Sequence, residues 1–174
     1  MRCKVTSADL DPAEYFLPTS NPCQRTAYPL LASFLLALAL TSPLKATPLD
    51  LSTLRGRVIY LDFWASWCAP CRQSFPWMDS LLQTYSAQGL SVIAINVDHD
   101  RADADRFLNE FRPHFDVRFD PQGDWARQFK VTGMPTSILI DRHGVVRFTH
   151  IGFWPAQGEV AAREIRELLD EKTP

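Results

Sequence analysis

Two apolar runs, Val58 to Phe63 (VIYLDF) and Leu90 to Val97 (LSVIAINV), flank a stretch with helical periodicity. The first is broken only by Asp62, and such runs fit strands covered on both faces, as in the interior of a parallel sheet. Between them, Arg72 to Gln88 places Phe75, Met78, Leu82 and Tyr85 at three- and four-residue spacing and stops at Gly89, a helix C-terminal signal. These pieces make a βαβ unit, which sets the class as α/β. Downstream, Asp100 with Asp103 opens a helix carrying Phe107, Leu108 and Phe111 that ends before Pro113. A short strand at Val117 to Phe119 and a helical turn at Trp125 to Phe129 follow. Thr136 to Ile140 and Val145 to Ile151 form a hairpin across Asp141-Arg142-His143-Gly144. A last helix from Gln157 to Lys172 aligns Ala161, Ile165, Leu168 and Leu169. The expectation is a mixed sheet with helices on both faces and one antiparallel hairpin.

The N-terminal part has a different character. Leu30 to Leu40 (LLASFLLALAL) carries no charge and is followed by Thr41-Ser42-Pro43-Leu44-Lys45-Ala46, which reads as a secretory apolar region with a cleavage site after Ala46. As a helix it rises about 16 Å against a hydrocarbon core of about 30 Å, so an uncleaved anchor would have to recruit Tyr28 to Leu44. Residues 1–46 are thus read as an export signal, with an uncleaved anchor as the alternative. The acidic residues Asp9, Asp11 and Glu14 before it suggest a start site placed too far upstream. Residues 47–174 are the folded domain, exported to the periplasm. The chain has 174 residues, 46% of them apolar, enough for one such core. A formal net charge of −2 gives no basic excess for nucleic acid. A monomer is expected.

Cys3 and Cys23 lie in or before the export segment, so the domain keeps Cys68 and Cys71. A two-residue spacer removes little entropy from the unfolded chain, which argues against a structural staple and for a working dithiol. Trp67-Cys68-Ala69-Pro70-Cys71 stands between the first strand and its helix. Cys68 would meet the helix N-terminus, where free N–H groups and the positive dipole end favour a thiolate. Cys71 lies one turn inward. Cys68 is therefore the candidate nucleophile and Cys71 the resolving thiol, while Pro70 suits a first helical turn. Asp62 is costly to bury as an anion, so its pKa should rise and let it hold or pass a proton. Arg72 is weighed as a thiolate partner or a solvated side chain. His99, His114, His143 and His150 show no ligand spacing to the cysteines.

The string Asp62-Phe63-Trp64-Ala65-Ser66-Trp67-Cys68-Ala69-Pro70-Cys71, with Pro76 and Gly133-Met134-Pro135-Thr136, resembles the thioredoxin superfamily. The segment GMPTSILIDRHG, the export signal and an extra strand and helix between Val97 and Trp125 resemble its TlpA/ResA group of extracytoplasmic thiol-disulfide reductases. The resemblance implies a thioredoxin-like three-layer fold with a TlpA-type βα insertion. It further implies a cis Met134-Pro135 peptide facing the sulfurs, where substrate pairs as an extended strand, and Asp62 as general acid/base for Cys71. Trp67 is exposed contact surface or packing, and Gly152, Phe153 and Trp154 border the groove.

The activity implied is reduction of disulfides in exported proteins, apocytochrome c before haem attachment among them. Electrons would come from a membrane thiol donor, and no cofactor is needed beyond the Cys68-Cys71 disulfide. The alternatives are a disulfide-introducing oxidant, which would have the same cysteines, and a copper-binding chaperone of this fold. A peroxiredoxin is disfavoured by Leu61 and Ala65, where its Pro and Thr or Ser would stand.

Overall fold

The computed structural model describes residues 48–171, so the expected export segment at residues 1–46, with Cys3 and Cys23, and Lys172 lie outside the described residues. The elements in chain order are β1 (Val58–Trp64), α1 (Ala69–Tyr85), β2 (Leu90–Asn96), α2 (Arg101–Phe111), β3 (Asp116–Phe119), α3 (Asp124–Gln128), β4 (Thr136–Ile140), β5 (Val146–Ile151) and α4 (Pro155–Asp170). They build one sheet in the order β3-β2-β1-β4-β5. β1 pairs in parallel with β2 and β2 with β3, while β4 runs antiparallel to both β1 and β5. The α/β class, the mixed sheet and the hairpin are as expected. The anticipated extra helix and strand are α2 and β3, which widen the sheet at its parallel edge.

Every residue of β1 is buried, and its side chains alternate between two cores. Val58, Tyr60 and Trp64 face Phe75 and Met78 of α1, Phe107 of α2, and Ile165 and Leu168 of α4. Ile59, Leu61 and Phe63 join Ile93, Ile95, Ile138 and Ile140 on the other face. Helix cover is unequal. Three long helices pack on the first face, whereas the second is closed by Leu49, Leu51, Leu54 and the residues in and after five-residue α3. Asp120 fixes that short helix, accepting the N–H groups of Asp124 at 2.8 Å and Ala126 at 2.9 Å.

Helix ends differ from expectation for local reasons. α1 starts at Ala69, three residues before the apolar periodicity, because Cys68 serves as its N-cap and Pro70 lies in the first turn, where no N–H is required. It ends at Tyr85 and tightens into a 3-10 turn over Ser86–Gln88, closed by Gly89 at φ 106°. A Cβ there would also stand 2.8 Å from Nη1 of Arg142. α4 begins at Pro155, the first-turn position proline favours.

Ile165 is fully buried between α4 and the sheet. Ile165→Ala should lower the unfolding free energy by about 2–5 kcal/mol, read from denaturant titration of the oxidised protein. A loss under about 1 kcal/mol would mean that α4 is not part of this core.

Candidate active site

The C-terminal end of β1 delivers the chain into a turn, Ala65–Cys68, closed by the Cys68 N–H donating to the Ala65 carbonyl at 3.1 Å. Cys68 has extended backbone angles, φ −84° and ψ 104°, the usual geometry of an N-cap. Its Sγ accepts the Cys71 N–H at 3.2 Å, the position a capping oxygen would take. Helix amides thus point at this sulfur, and the first turn of α1 has no acidic residue to oppose them. Cys68 and Cys71 are joined as a disulfide with an S–S length of 2.06 Å. Both are nearly covered in this form, Cys68 3% and Cys71 0% exposed, so the inner position of Cys71 shows only as a small difference.

Trp67, inside the same turn, is 71% exposed, so it is not packed into the core. Arg72 is engaged with α2: it pairs with Glu110 and lies over the rings of Phe107 and Phe111, 5.4 and 5.0 Å from their centroids. It acts there as a clamp between α1 and α2.

The Met134-Pro135 peptide is cis. It opens β4, whose Thr136 is paired with Phe63 of β1, so Pro135 stands beside the strand end from which the dithiol turn leaves. The Pro135 carbonyl accepts the Gly152 N–H at 2.7 Å, which ties the Gly152-Phe153-Trp154 segment to the same corner. Met134 is half-buried, and Trp154 is exposed.

Asp62 is 1% exposed on the helix-covered side of β1, between Ala94 and Ser137 in the neighbouring strands. Its Oδ2 has no hydrogen-bond partner. Burial pushes its pKa well above the ordinary carboxylate range. Tyr60, two residues earlier on the same face, is also raised by burial and then by the neighbouring Asp62, while a hydrogen bond with Ser137 works the other way. Tyr60 and Ser137 escape a sequence reading because each passes for an ordinary strand residue. Asp98 escapes as well, although its carboxylate holds Ser66 of the dithiol turn at 2.9 Å. Among the described residues no three His, Cys, Asp or Glu are gathered as a metal site requires; His150 instead meets Glu164 at 2.6 Å.

A buried strand that ends in a turn, a dithiol capping the next helix and a cis-proline beside it define a thioredoxin-fold thiol-disulfide oxidoreductase. The sequence matches the Redoxin family over residues 31–165, and the chain belongs to that family, within its TlpA/ResA-like group. It is 31% identical to the thiol-disulfide oxidoreductase ResA of Bacillus anthracis over 131 residues, 75% of this chain and 72% of that protein. The ResA of Geobacillus kaustophilus is 34% identical over 97 residues, 56% of either chain. Among solved structures, a Chlorobium tepidum protein assigned as thiol:disulfide interchange protein DsbE has 50% identity and a TM-score of 0.67, covering 68% of this chain and 84% of its own.

The burial of Asp62 has a thermodynamic signature. A carboxyl with a raised folded-state pKa binds its proton more tightly in the native state, so its stabilisation is complete below the unfolded value of about 3.9 and is lost as pH rises through the folded value. Oxidised wild type should lose stability from about pH 4 upward relative to Asp62→Asn, the gap widening until Asp62 ionises in the fold. Parallel urea denaturation curves across that range would read it, and a constant gap would show that Asp62 titrates normally.

Proposed function

We propose that this chain reduces disulfides of exported proteins, with Cys68 as nucleophile, Cys71 as resolving thiol and Asp62 as the proton acceptor of Cys71. The observation that carries the reading is the Cys68 sulfur at the N-cap of α1, accepting the Cys71 N–H at 3.2 Å. A sulfur in that place is favoured as an anion by the amides it faces, and the thiolate is the attacking species.

The cycle starts from the dithiol. The Cys68 thiolate attacks one sulfur of the substrate disulfide, the substrate S–S bond breaks, and the departing sulfur leaves as a thiolate that water protonates. Cys71 then gives its proton to Asp62 while its sulfur attacks Cys68. The mixed disulfide breaks, the second substrate sulfur leaves, and the Cys68-Cys71 bond forms. Two electrons have passed to the substrate. Burial makes the Asp62 carboxylate a strong base, so the proton moves toward the form that the apolar surroundings favour. A membrane thiol donor restores the dithiol, its own two thiols being oxidised to a disulfide, and Asp62 returns the proton to Cys71.

Substrate placement uses the corner around Met134 and Pro135. The Pro135 carbonyl is already engaged by Gly152, so main-chain pairing with an extended substrate falls to Met134. Trp67, exposed beside the nucleophile, supplies apolar contact. The names of similar proteins, thiol-disulfide oxidoreductase and thiol:disulfide interchange protein, support a disulfide-exchange role, and on this reading residues 1–46 are the export signal or anchor of a periplasmic monomer. Apocytochrome c, whose cysteines must be reduced before haem attachment, is a substrate of the right chemistry.

Cys71→Ser, made in cells, should accumulate mixed disulfides at Cys68 with exported proteins, and Cys68→Ser should accumulate none. Absence of covalent partners would remove the reading, and a potential near that of strong oxidants would reverse the direction of electron flow. In single-turnover reduction, Asp62→Asn should slow resolution of the mixed disulfide about tenfold or more and flatten its pH dependence. An unaltered profile would leave Asp62 without a role in proton transfer.

A further inference from the structure

Asp98 lies in the loop after β2 and is 6% exposed. Its carboxylate accepts the Ser66 N–H at 2.9 Å, the Ser66 hydroxyl at 3.0 Å and the Asn96 side-chain amide at 2.7 Å. Asn96 answers with its Oδ1, which accepts the Asp98 N–H at 3.1 Å. Ser66 is the second residue of the Ala65–Cys68 turn. The bond closing that turn uses the Cys68 N–H, so the Ser66 N–H needs a partner from outside it, and a buried amide without one is costly. Asp98 supplies it from the loop after β2. The same turn seats Cys68 at the end of α1 and presents Trp67 to solvent.

The charges around this turn are unevenly compensated. Arg72 is paired with Glu110 and Arg106 with Asp103, and these side chains line the cleft beside Ser66 and Phe107. Asp100 caps α2 through the Ala102 N–H, His99 is exposed, and Asp62 lies within β1. The three donors to Asp98 are all neutral. None of these donors brings a positive charge to offset the carboxylate, which is bound to Ser66, two positions before the nucleophile in the same turn. Amide ends of α1 stabilise the Cys68 thiolate, whereas this carboxylate opposes it. A less stabilised thiolate means a less stabilised dithiol, hence a stronger reductant.

We infer that Asp98 is a positioning residue that also sets the redox poise: it anchors the turn delivering Cys68 to α1, and its uncompensated carboxylate biases the pair toward giving up electrons. This rests on the reading of Cys68 as the attacking sulfur and adds what tunes it.

The test compares the full chain with Asp98→Asn, Asp98→Ser and Ser66→Ala, measuring the pH midpoint of Cys68 alkylation and the equilibrium of the pair with glutathione. Removing the carboxylate should lower the midpoint by roughly half a pH unit or more and move the equilibrium several-fold toward the dithiol. Ser66→Ala keeps the charge and removes one of its donors, so its midpoint should stay at the wild-type value or rise. A turn that merely loosens would shift all three variants the same way. That result, or neutral variants matching wild type, would overturn the proposal. Asp98→Ser stands in if Asp98→Asn does not fold. Which wild-type cysteine is alkylated first tests the nucleophile separately, while the glutathione equilibrium tests Asp98 whichever cysteine that is.

Discussion

β1 is hydrogen-bonded along both edges and covered on both faces, and the dithiol begins where that burial ends. The strand has no freedom to shift: a slip of one residue against β2 or β4 would exchange Tyr60, Asp62 and Trp64 with Leu61 and Phe63 between two separate cores. Its end point is therefore set by the packing of the whole sheet. The turn at Ala65–Cys68 inherits this position, and α1 inherits its start from the turn. A reactive sulfur that must meet a partner's sulfur at bonding distance gains from such a fixed origin, because each loose residue before it would spread its position.

Two carboxylates near this origin live in opposite environments. Asp98 has its oxygens filled by N–H and O–H donors, while Asp62 has an oxygen with no partner inside the apolar face beneath the helices. Desolvation with donors keeps a carboxylate a fixed charge; desolvation without them makes it a base that seeks a proton. On the proposed reading, the pair separates an electrostatic role from a proton-transfer role, as sites with two carboxyl groups do when their surroundings diverge.

Much of this was legible in the chain itself. The runs around β1 and β2, the periodicity of α1 and α4, and the hairpin between β4 and β5 are local signals, and the strands and helices follow them to within a few residues. Asp62 was visible because a charge inside an apolar run is conspicuous. The Asp98 contact was not, since Ser66 and Asp98 are 32 positions apart and meet only because β1 and β2 run in register. The unequal helix cover was also hidden: Phe107 and Phe111 announce an amphipathic helix but not the side of the sheet it takes. That choice follows from the aromatic cluster with Trp64 and Phe75, whose rings lie 4.7 and 4.8 Å from Phe107.

The same cluster bears on what stabilises the nucleophile. Arg72, the cation nearest to Cys71 in sequence, has its guanidinium committed to Glu110 and to the faces of Phe107 and Phe111. Freeing it to reach a sulfur would give up an ion pair and two cation–π contacts that hold α2 against α1. With that cation engaged, the thiolate depends on the amide ends of α1, whose influence fades within a turn. On the proposed reading, the Cys68 thiolate is supported by backbone dipoles and opposed by the Asp98 carboxylate. That balance fits a dithiol poised to donate electrons more readily than one that strips them from its partners.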